Sequence, residues 1–464
     1  MEARTHSHVF LRGLGVLLLK GTPYCSLEMV CMQGIFQPST RGTHQISGEQ
    51  ESKIRFSVLI GVLAMAFAGS PGFGQNELDL ETALELYASR NPNLEAARDG
   101  IEMARGRLDQ SGLWPNPTFN FDQEGYPFGS SNSGFWGDQE HSIGVGQLFE
   151  LGGKRNHRKE MARLGLNARE LEIENVLRLG QAQVKYAFLR AYYAKKIRDI
   201  AQDLFGTYEG LRDIHQRRFE AGDVSGLSQL RINAEEIRYV TAVTRGQSDF
   251  TQAWNELAAL LVWSEPGSPD LSLPDDLERV DRSLEELKQV ALQSRPDLEV
   301  QRVETRKSQV DVTLQQSLKV PDLTVGGGYK NDFGQDSYYL GIKVPLPLFN
   351  RNQGAIAEKA ADARRNRSLL TWQELQALRE VQSAFENFST QRENLERIQD
   401  SVMDQVNQVA TITARSYLEG EASLLDYLDA LRVQLDTSID FYQLTHQVRR
   451  AFVDLETAVG GSLN

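Results

Sequence analysis

Cysteine is nearly absent from this chain of 464 residues, and its two copies, Cys25 and Cys31, both lie close to the N-terminus. The rest of the chain therefore has neither a disulfide framework nor a thiol site. Basic residues are outnumbered by acidic ones, and the net charge of −13 argues against a nucleic-acid partner, which requires a basic face. Motifs for a catalytic nucleophile, a zinc site or a dinucleotide are also missing, so we expect no enzyme activity, no cofactor and no metal site.

A single apolar stretch stands out near the start of the chain. Lys53 and Arg55 precede the apolar run 57–68, which ends in the small-x-small pattern Ala66-Phe67-Ala68. The run of about 12 residues is shorter than the roughly 20 needed to span a bilayer. Residues 53–75 are therefore predicted to be a secretory signal peptide, with a buried helix or a membrane anchor as alternatives. Residues 1–52 are predicted to be a disordered upstream leader or a mis-extended start.

The remainder of the chain repeats itself. The segment that starts at Ser89 resembles the one that starts at Ser294, and "RFEAGDVSGLSQL" resembles "SYLEGEASLLDYL", which places Gly222 on Gly420. These matches occur in the same order and at an almost constant offset, which indicates a tandem duplication. We predict two structural repeats, 76–263 and 277–464. The linker between them, 264–276, is rich in Pro, Gly and Ser.

Each repeat has the same predicted plan of helix, two strands, a very long helix and a returning helix. The long segments contain no proline, and apolar residues recur near every 3.5 positions, which is typical of a coiled coil. The predicted helices are 80–111, 154–218 and 227–262 in the first repeat, and 283–318, 351–417 and 424–459 in the second.

The predicted strands alternate apolar and polar residues, which indicates a sheet with one apolar face. Phe119 and Phe121 alternate with polar residues in the first pair of strands, and Leu340 and Ile342 do so in the second. The intervening loops are rich in Gly, Ser, Asn and Asp, so each pair is predicted to form a hairpin. A soluble antiparallel sheet is the alternative to a membrane sheet at this point.

Two hairpins in one chain supply four strands, which is too few to close a barrel in lipid, where open edges are not tolerated. Three chains supply twelve, an even number within the range of outer-membrane barrels. We therefore predict a mainly helical fold with a small β part: a trimeric 12-stranded barrel above a tunnel of long helices. Phe119, Phe121, Leu340 and Ile342 would face lipid, and Lys330 and Lys343 would face water.

Several motifs resemble those of the TolC-type outer-membrane efflux channel family, over about residues 77–461. They are "LWPNPTF", "GQLFELGGKR", "VPLPLFNRNQG", "YLEGEASLLDYLDA" and "LETAVGG". "FELGGKR" and "PLPLFNRNQG" are especially similar to the CzcC-like branch, which serves heavy-metal cation efflux. The resemblance implies a homotrimer in outer-membrane lipid, a helical tunnel in the periplasm, a periplasmic adaptor protein and an inner-membrane transporter of the resistance-nodulation-division (RND) type.

The resemblance also assigns the helix-to-helix turns to the periplasmic tip, where the adaptor docks. The turn glycines are expected to adopt positive φ, and the two serines are expected to cap the returning helices. The residues implied at the tips are Phe219, Gly222, Ser225, Tyr417, Gly420, Ser423, Leu424 and Leu425.

Asp426 and Asp429 match the two acids that line the tunnel constriction in the family. Three copies would place six carboxylates around one pore and attract cations. The alternative is that the two acids only complement the dipole of the helix that they begin. Ala422 stands where some family members carry an Arg, so a gate latch formed by that Arg is not expected. In the first repeat Ser228 and Arg231 occupy the positions of the acids.

These observations predict a passive exit duct for heavy-metal cations. The same duct serving drug efflux or type I secretion is the nearest alternative. A secreted coiled-coil structural protein without a pore is an alternative of another class.

Overall fold

The computed structural model describes residues 77–125, 139–398 and 402–463. The predicted leader and signal peptide lie outside these residues, as do residues 126–138 of the first predicted hairpin loop. The elements are β1 (Glu77–Leu78), α1 (Leu80–Arg90), α2 (Pro92–Ser111), β2 (Thr118–Glu124), β3 (Glu140–Phe149), α3 (Lys154–Glu220), α4 (Gly226–Leu261), β4 (Asp270–Leu271), α5 (Leu284–Ser294), α6 (Pro296–Ser317), β5 (Leu323–Asp332), β6 (Gln335–Lys343), α7 (Gln353–Ile398), α8 (Val402–Glu419) and α9 (Leu424–Val459).

The first helix of each repeat was predicted to be continuous, and this prediction is wrong. Helices α1 and α2 are separated at Asn91, and α5 and α6 are separated at Arg295. Both residues adopt an extended conformation, with ψ of 122° at Asn91 and 116° at Arg295. A proline follows each of them, and proline disfavours the helical conformation of the residue before it. The break recurs at the equivalent place in both repeats.

The helices predicted over 154–218, 227–262 and 424–459 lie close to the observed bounds of α3, α4 and α9. The helix predicted over 351–417 corresponds to α7 and α8, and residues 399–401 between them lie outside the described residues. Helix α3 has 67 residues, which at 1.5 Å per residue makes a rod of about 100 Å. In α7, Val381, Phe388 and Leu395 are buried at intervals of seven residues, as a coiled-coil seam requires. Val409 in α8, which lies 14 residues beyond Leu395 in the same seven-residue spacing, is instead 54% exposed.

The four longer strands form one antiparallel sheet in the order β2-β3-β5-β6. The two predicted hairpins are confirmed, and β3 pairs with β5 to join them, with Gly146 opposite Gly326. Strands β2 and β6 are the edges of this sheet. Among the residues that the structure describes, neither edge has a second strand partner.

A small contact that the sequence did not predict joins the start of the described chain to the linker. Leu78 of β1 pairs in parallel with Leu271 of β4, within the segment 264–276. The buried Arg449 of α9 also holds the end of this linker, because its guanidinium donates to the carbonyl oxygen of Asp276 at 3.2 Å and to Glu278 at 3.1 Å. The order of helices and strands recurs in both halves of the chain, while the domain boundaries themselves stay a prediction.

Candidate functional site: the helical tips and the apolar sheet

Two glycines end the long helices and reverse the chain. Gly222 has φ of 84° and Gly420 has φ of 82°, a region that favours glycine because it has no Cβ. Beyond each turn a serine begins the returning helix: the Ser225 Oγ accepts from the amide of Ser228, and the Ser423 Oγ accepts from the amide of Asp426. The chain therefore forms two helical hairpins, α3–α4 and α8–α9, each with a turn at its end.

Asp426 takes part in the cap of helix α9. Its Oδ2 accepts from the Ser423 amide at 3.0 Å and from the Ser423 hydroxyl at 2.7 Å, and its own amide donates back to the Ser423 Oγ. This reciprocal pair is a capping box. The two bonds from Ser423 stabilise the ionised carboxylate and lower the pKa of Asp426. Asp429 lies one turn further on, is exposed and stands outside the capping box.

This geometry predicts a stability effect that separates the two acids. Asp426→Ala removes the acceptor from the capping box and is expected to destabilise the first turn of α9, so that its amides exchange faster. Hydrogen exchange of the amides at the start of α9 measures the loss. Asp429→Ala is the matched control and is expected to leave that exchange unchanged. Equal protection of the helix start in both variants would contradict the capping role.

A buried polar link joins the two hairpins. His215 of α3 is 1% exposed, and its Nδ1 lies 3.0 Å from the Tyr417 hydroxyl of α8. Its Nε2 lies 3.2 Å from the Ser228 hydroxyl of α4, which itself donates to the Ser225 carbonyl oxygen at 2.6 Å. Because the Ser228 proton is already used, Nε2–H donates to Ser228 and Nδ1 accepts from Tyr417. The link therefore requires a neutral imidazole.

Ionic contacts reinforce the same junction. The Arg432 Nε of α9 lies 3.0 Å from a carboxylate oxygen of Glu235 in α4, and a second bond makes the pair bidentate. The Arg218 guanidinium lies over the Tyr417 ring, 5.1 Å from its centroid, and also donates to the carbonyl oxygen of Leu418 at 3.3 Å. Burial, together with the nearby Arg218 charge, lowers the pKa of His215. Sequence reasoning missed His215, since its partner Tyr417 is 202 residues away and no local pattern connects them.

Only some of the apolar residues predicted for the docking surface at the tips are exposed in the structure. Tyr417 is only 4% exposed, and Leu424 packs against the same hydrophobic cluster, so both contribute to the core of the tip. Ala422, at the position of the absent Arg, also packs there. Phe219 and Leu425, by contrast, expose 39% and 53% of their surface. The exposed apolar surface predicted for a partner therefore reduces to these two side chains.

The sheet carries an apolar face that is exposed in the single chain. Phe119 lies opposite Val145 on β3, and on β5 Gly327 lies opposite Leu340 of β6, so these residues share a face. Phe119, Phe121, Leu340 and Ile342 are 70%, 45%, 82% and 69% exposed. Such a large exposed apolar surface marks a contact with lipid or protein. Lys330 lies on the opposite, polar face, where its ammonium is 3.0 Å from Glu140.

None of the helices in the described residues combines the length and apolar character needed to cross a membrane. No cluster of three or more His, Cys, Asp or Glu side chains in these ranges is placed to hold a metal ion.

Comparison with known proteins agrees with this architecture. Residues 287–461 match the family model described as outer membrane efflux protein. The chain is 24% identical over 386 residues to the cobalt-zinc-cadmium resistance protein CzcC of Cupriavidus metallidurans, covering 82% of this chain and 90% of the relative. It is 21% identical over 324 residues to the nickel-cobalt-cadmium resistance protein NccC of Alcaligenes xylosoxydans xylosoxydans, covering 66% and 69% of the two chains.

The solved structures that it resembles share its fold. CusC superposes with a TM-score of 0.67 at 18% identity, covering 86% of this chain and 96% of CusC. The open state of the MtrE outer membrane channel of Neisseria gonorrhoeae superposes with a TM-score of 0.68 at 17% identity, covering 83% and 89%. These likenesses show that the chain has the fold of the two channel structures. The chain is similar to the outer membrane efflux protein family over residues 287–461, and its location is the outer membrane.

Proposed function

We propose that this chain is the outer-membrane exit duct of a tripartite efflux system for heavy-metal cations. Three copies close their sheets into a 12-stranded barrel, and their helical hairpins surround a tunnel that ends at the turns around Gly222 and Gly420. The observation that carries the proposal is the sheet itself, because it combines an exposed apolar face with two edge strands that have no partner in the described chain. Open edges are not tolerated in lipid, so the sheet needs further copies.

The proposal that the cargo is a heavy-metal cation is supported by the names of two relatives and by two acidic residues at the tip. The relatives CzcC and NccC are named for resistance to cobalt, cadmium and either zinc or nickel. Asp426 and Asp429 would line the constriction at the tip of the tunnel, where crowded carboxylates attract cations. Because Asp426 is held by the capping box, we assign the larger part of the attraction to Asp429, which stands outside it.

The proposed partners are an inner-membrane transporter of the RND type, which supplies the energy, and a periplasmic adaptor protein. Phe219 and Leu425 are proposed to contact the adaptor, since both are exposed at the tips. The chain itself is proposed to have no enzyme activity and to conduct passively.

Single-channel recording in planar bilayers tests the duct and the acids together. We expect the wild-type protein to conduct with a preference for cations, measured as a reversal potential in a salt gradient. Asp429→Asn keeps the side-chain size but removes the charge, and it is expected to reduce this preference. Asp440→Asn, further along the same helix, is the matched control and is expected to leave the preference unchanged.

Two outcomes would contradict parts of the proposal. A preference for cations that survives both Asp429→Asn and Asp426→Asn would remove the acids from the pore while retaining the duct. A complete absence of conductance, even after Arg432→Ala breaks the ion pair with Glu235 and loosens the tip, would contradict the duct and favour a structural coiled-coil protein.

A further inference from the structure

A short apolar segment follows the edge strand β6 and lies exposed. Its residues 344–349, "VPLPLF", connect β6 to α7, and we call them the collar segment. Phe349 is 92% exposed, Leu346 is 73% and Leu348 is 64%. Three large apolar side chains exposed together within four residues are unusual for a surface that remains in water.

A hydrogen bond within the collar segment and another just beyond it restrain its backbone. The amide of Leu348 donates to the carbonyl oxygen of Leu346 at 2.9 Å. Just beyond the segment, Asn352 has φ of 59°, and its side chain donates to the carbonyl oxygen of Gln315 in α6 at 2.9 Å. The two prolines, Pro345 and Pro347, restrict the backbone further. The apolar side chains are therefore presented with little remaining conformational freedom to lose on binding.

A second apolar segment precedes the other edge strand, β2. Leu113 and Trp114 are 57% and 53% exposed. The Arg155 guanidinium lies over the Trp114 ring, 4.9 Å from its centroid, and its Nε donates to the carbonyl oxygen of Gly112 at 2.6 Å. We call Leu113 and Trp114 the entry segment. A guanidinium on the face of Trp114 disfavours contact of that ring with lipid tails, because the charge would lose its hydration.

Both segments lie at the same end of the sheet but on opposite edges. Strand β2 starts at this end and β6 finishes here, since the two strands run in opposite directions in the order β2-β3-β5-β6. Pairing the β6 edge of one copy with the β2 edge of the next would be antiparallel, as in the rest of the sheet. It would also bring the collar segment of one copy beside the entry segment of the other.

Prolines limit how far hydrogen bonding between such edges could extend. Pro345 and Pro347 follow β6, and Pro115 and Pro117 precede β2. Proline has no amide donor, so the pairing between strands ends at this level on both edges. Beyond it, two copies can meet only through side chains, and the exposed side chains on both segments are apolar.

We propose that the collar segment of one copy packs against the entry segment of the next copy and seals the joint between barrel and helices. The inference rests on the proposed ring of three copies and names the surface that closes it. Because two different patches meet, repeating the contact by one rotation generates a ring when that rotation closes. The flanking Lys343 and Arg351 favour a protein partner over lipid, since both carry charge at the ends of the collar segment.

Chemical cross-linking of the assembled protein tests this contact. No cysteine occurs after Cys31, so introduced thiols are the only ones in residues 32–464. With Trp114→Cys and Phe349→Cys in the same chain, a short bis-maleimide reagent is expected to yield covalent two-chain and three-chain bands on denaturing gels. Met103→Cys with Phe349→Cys is the matched control, since Met103 is 61% exposed on α2 outside both segments, and no three-chain band is expected from it.

A substitution measures the strength of the contact. Phe349→Asp is expected to lower the trimer fraction at least about tenfold, because an apolar side chain of this size contributes most when fully buried. Glu358→Gln on α7 is the control. Tyr338→Asp is not used for this purpose, because Tyr338 lies on the apolar face of the sheet. Circular dichroism of each variant checks that the helices have formed.

The outcomes distinguish the contact from the proposed function. If the protein is trimeric by light scattering but the Trp114 and Phe349 thiols do not cross-link, the collar contact is wrong and the duct stands. If a fluorophore on Phe349→Cys is quenched by brominated lipid as strongly as one on Leu340→Cys, lipid occupies the collar segment and the inference is overturned. If the unmodified protein forms no trimer, the proposed function itself is contradicted.

Discussion

Arg in place of Phe119 is expected to prevent stable insertion of the sheet into a bilayer, whereas Arg in place of the adjacent Asn120 is expected to be tolerated. The two residues are neighbours on β2 and both are exposed in the single chain, but they point to opposite faces. Asn120 lies on the polar face, in register with Gly144. Both variants therefore introduce the same charged side chain into the same strand, and they differ only in the face of the sheet that carries it.

The expected size of this effect is large because lipid does not solvate a guanidinium. A charged residue on the lipid face of a membrane barrel destabilises it by up to about 2–4 kcal/mol at the midplane and by less toward the interfaces, and Phe119 is the second residue of β2. Three copies carry the substitution in an assembled ring, so the effect applies three times to one barrel. On a sheet in water, Arg at position 119 would instead be harmless, since it would replace an exposed Phe.

Folding into lipid vesicles, followed by the gel mobility of unheated samples, measures the outcome. Phe119→Arg is expected to leave most of the protein outside the vesicles, and Asn120→Arg is expected to insert as the wild type does. Insertion of both variants to the same extent would show that this face does not contact lipid.

Acidification is expected to loosen the tips through His215. The pKa of this imidazole lies below its ordinary value of 6.5, because burial and the Arg218 charge both disfavour the protonated form. The link to Tyr417 and Ser228 therefore contributes stability that is present above pH 6.5 and is lost as the pH falls through the lowered pKa. Each unit by which the pKa is lowered makes opening at acid pH about tenfold easier.

The groups that face His215 support this direction. Arg218 on its own helix is cationic, Tyr417 on α8 and Ser228 on α4 are neutral, and Tyr427 of α9 packs against the Tyr417 ring at 5.7 Å. A protonated His215 would thus lie beside a cation with no carboxylate among these neighbours. Its Nδ1 could also no longer accept the hydrogen bond from Tyr417.

Hydrogen exchange around the two turns, compared between neutral and acidic pH, measures the opening without relying on conductance. Tyr417→Phe removes the donor and is expected to make exchange at neutral pH fast and to weaken its pH dependence. His446→Gln is the control: His446 is partly buried and also has a lowered pKa, but it packs against Tyr193 rather than at the tip. Unchanged tip exchange in wild-type protein between pH 7 and pH 5 would refute the role of His215.

Much of the fold could be predicted because its signals are local. Alternation at Phe119 and Phe121 predicts a strand, the absence of proline over 154–218 predicts a long helix, and Gly222 and Gly420 predict reversals. The breaks at Asn91 and Arg295 had a local signal as well, in the prolines that follow them. The roles of the tip residues were less predictable, since Tyr417 belongs to the core and Asp426 to a cap.

The sequence alone determined the kinds of element, their order, the duplication and the apolar face of the strands, because these depend on residue size, backbone freedom and spacing along the chain. Only the tertiary structure decided which distant residues meet: β3 with β5, Arg432 with Glu235, and His215 with Tyr417. Such pairs are separated by about 170 to 200 residues, and no local pattern encodes them. Their choice follows from how long rods pack side by side, which fixes every contact along their length once a single register is set.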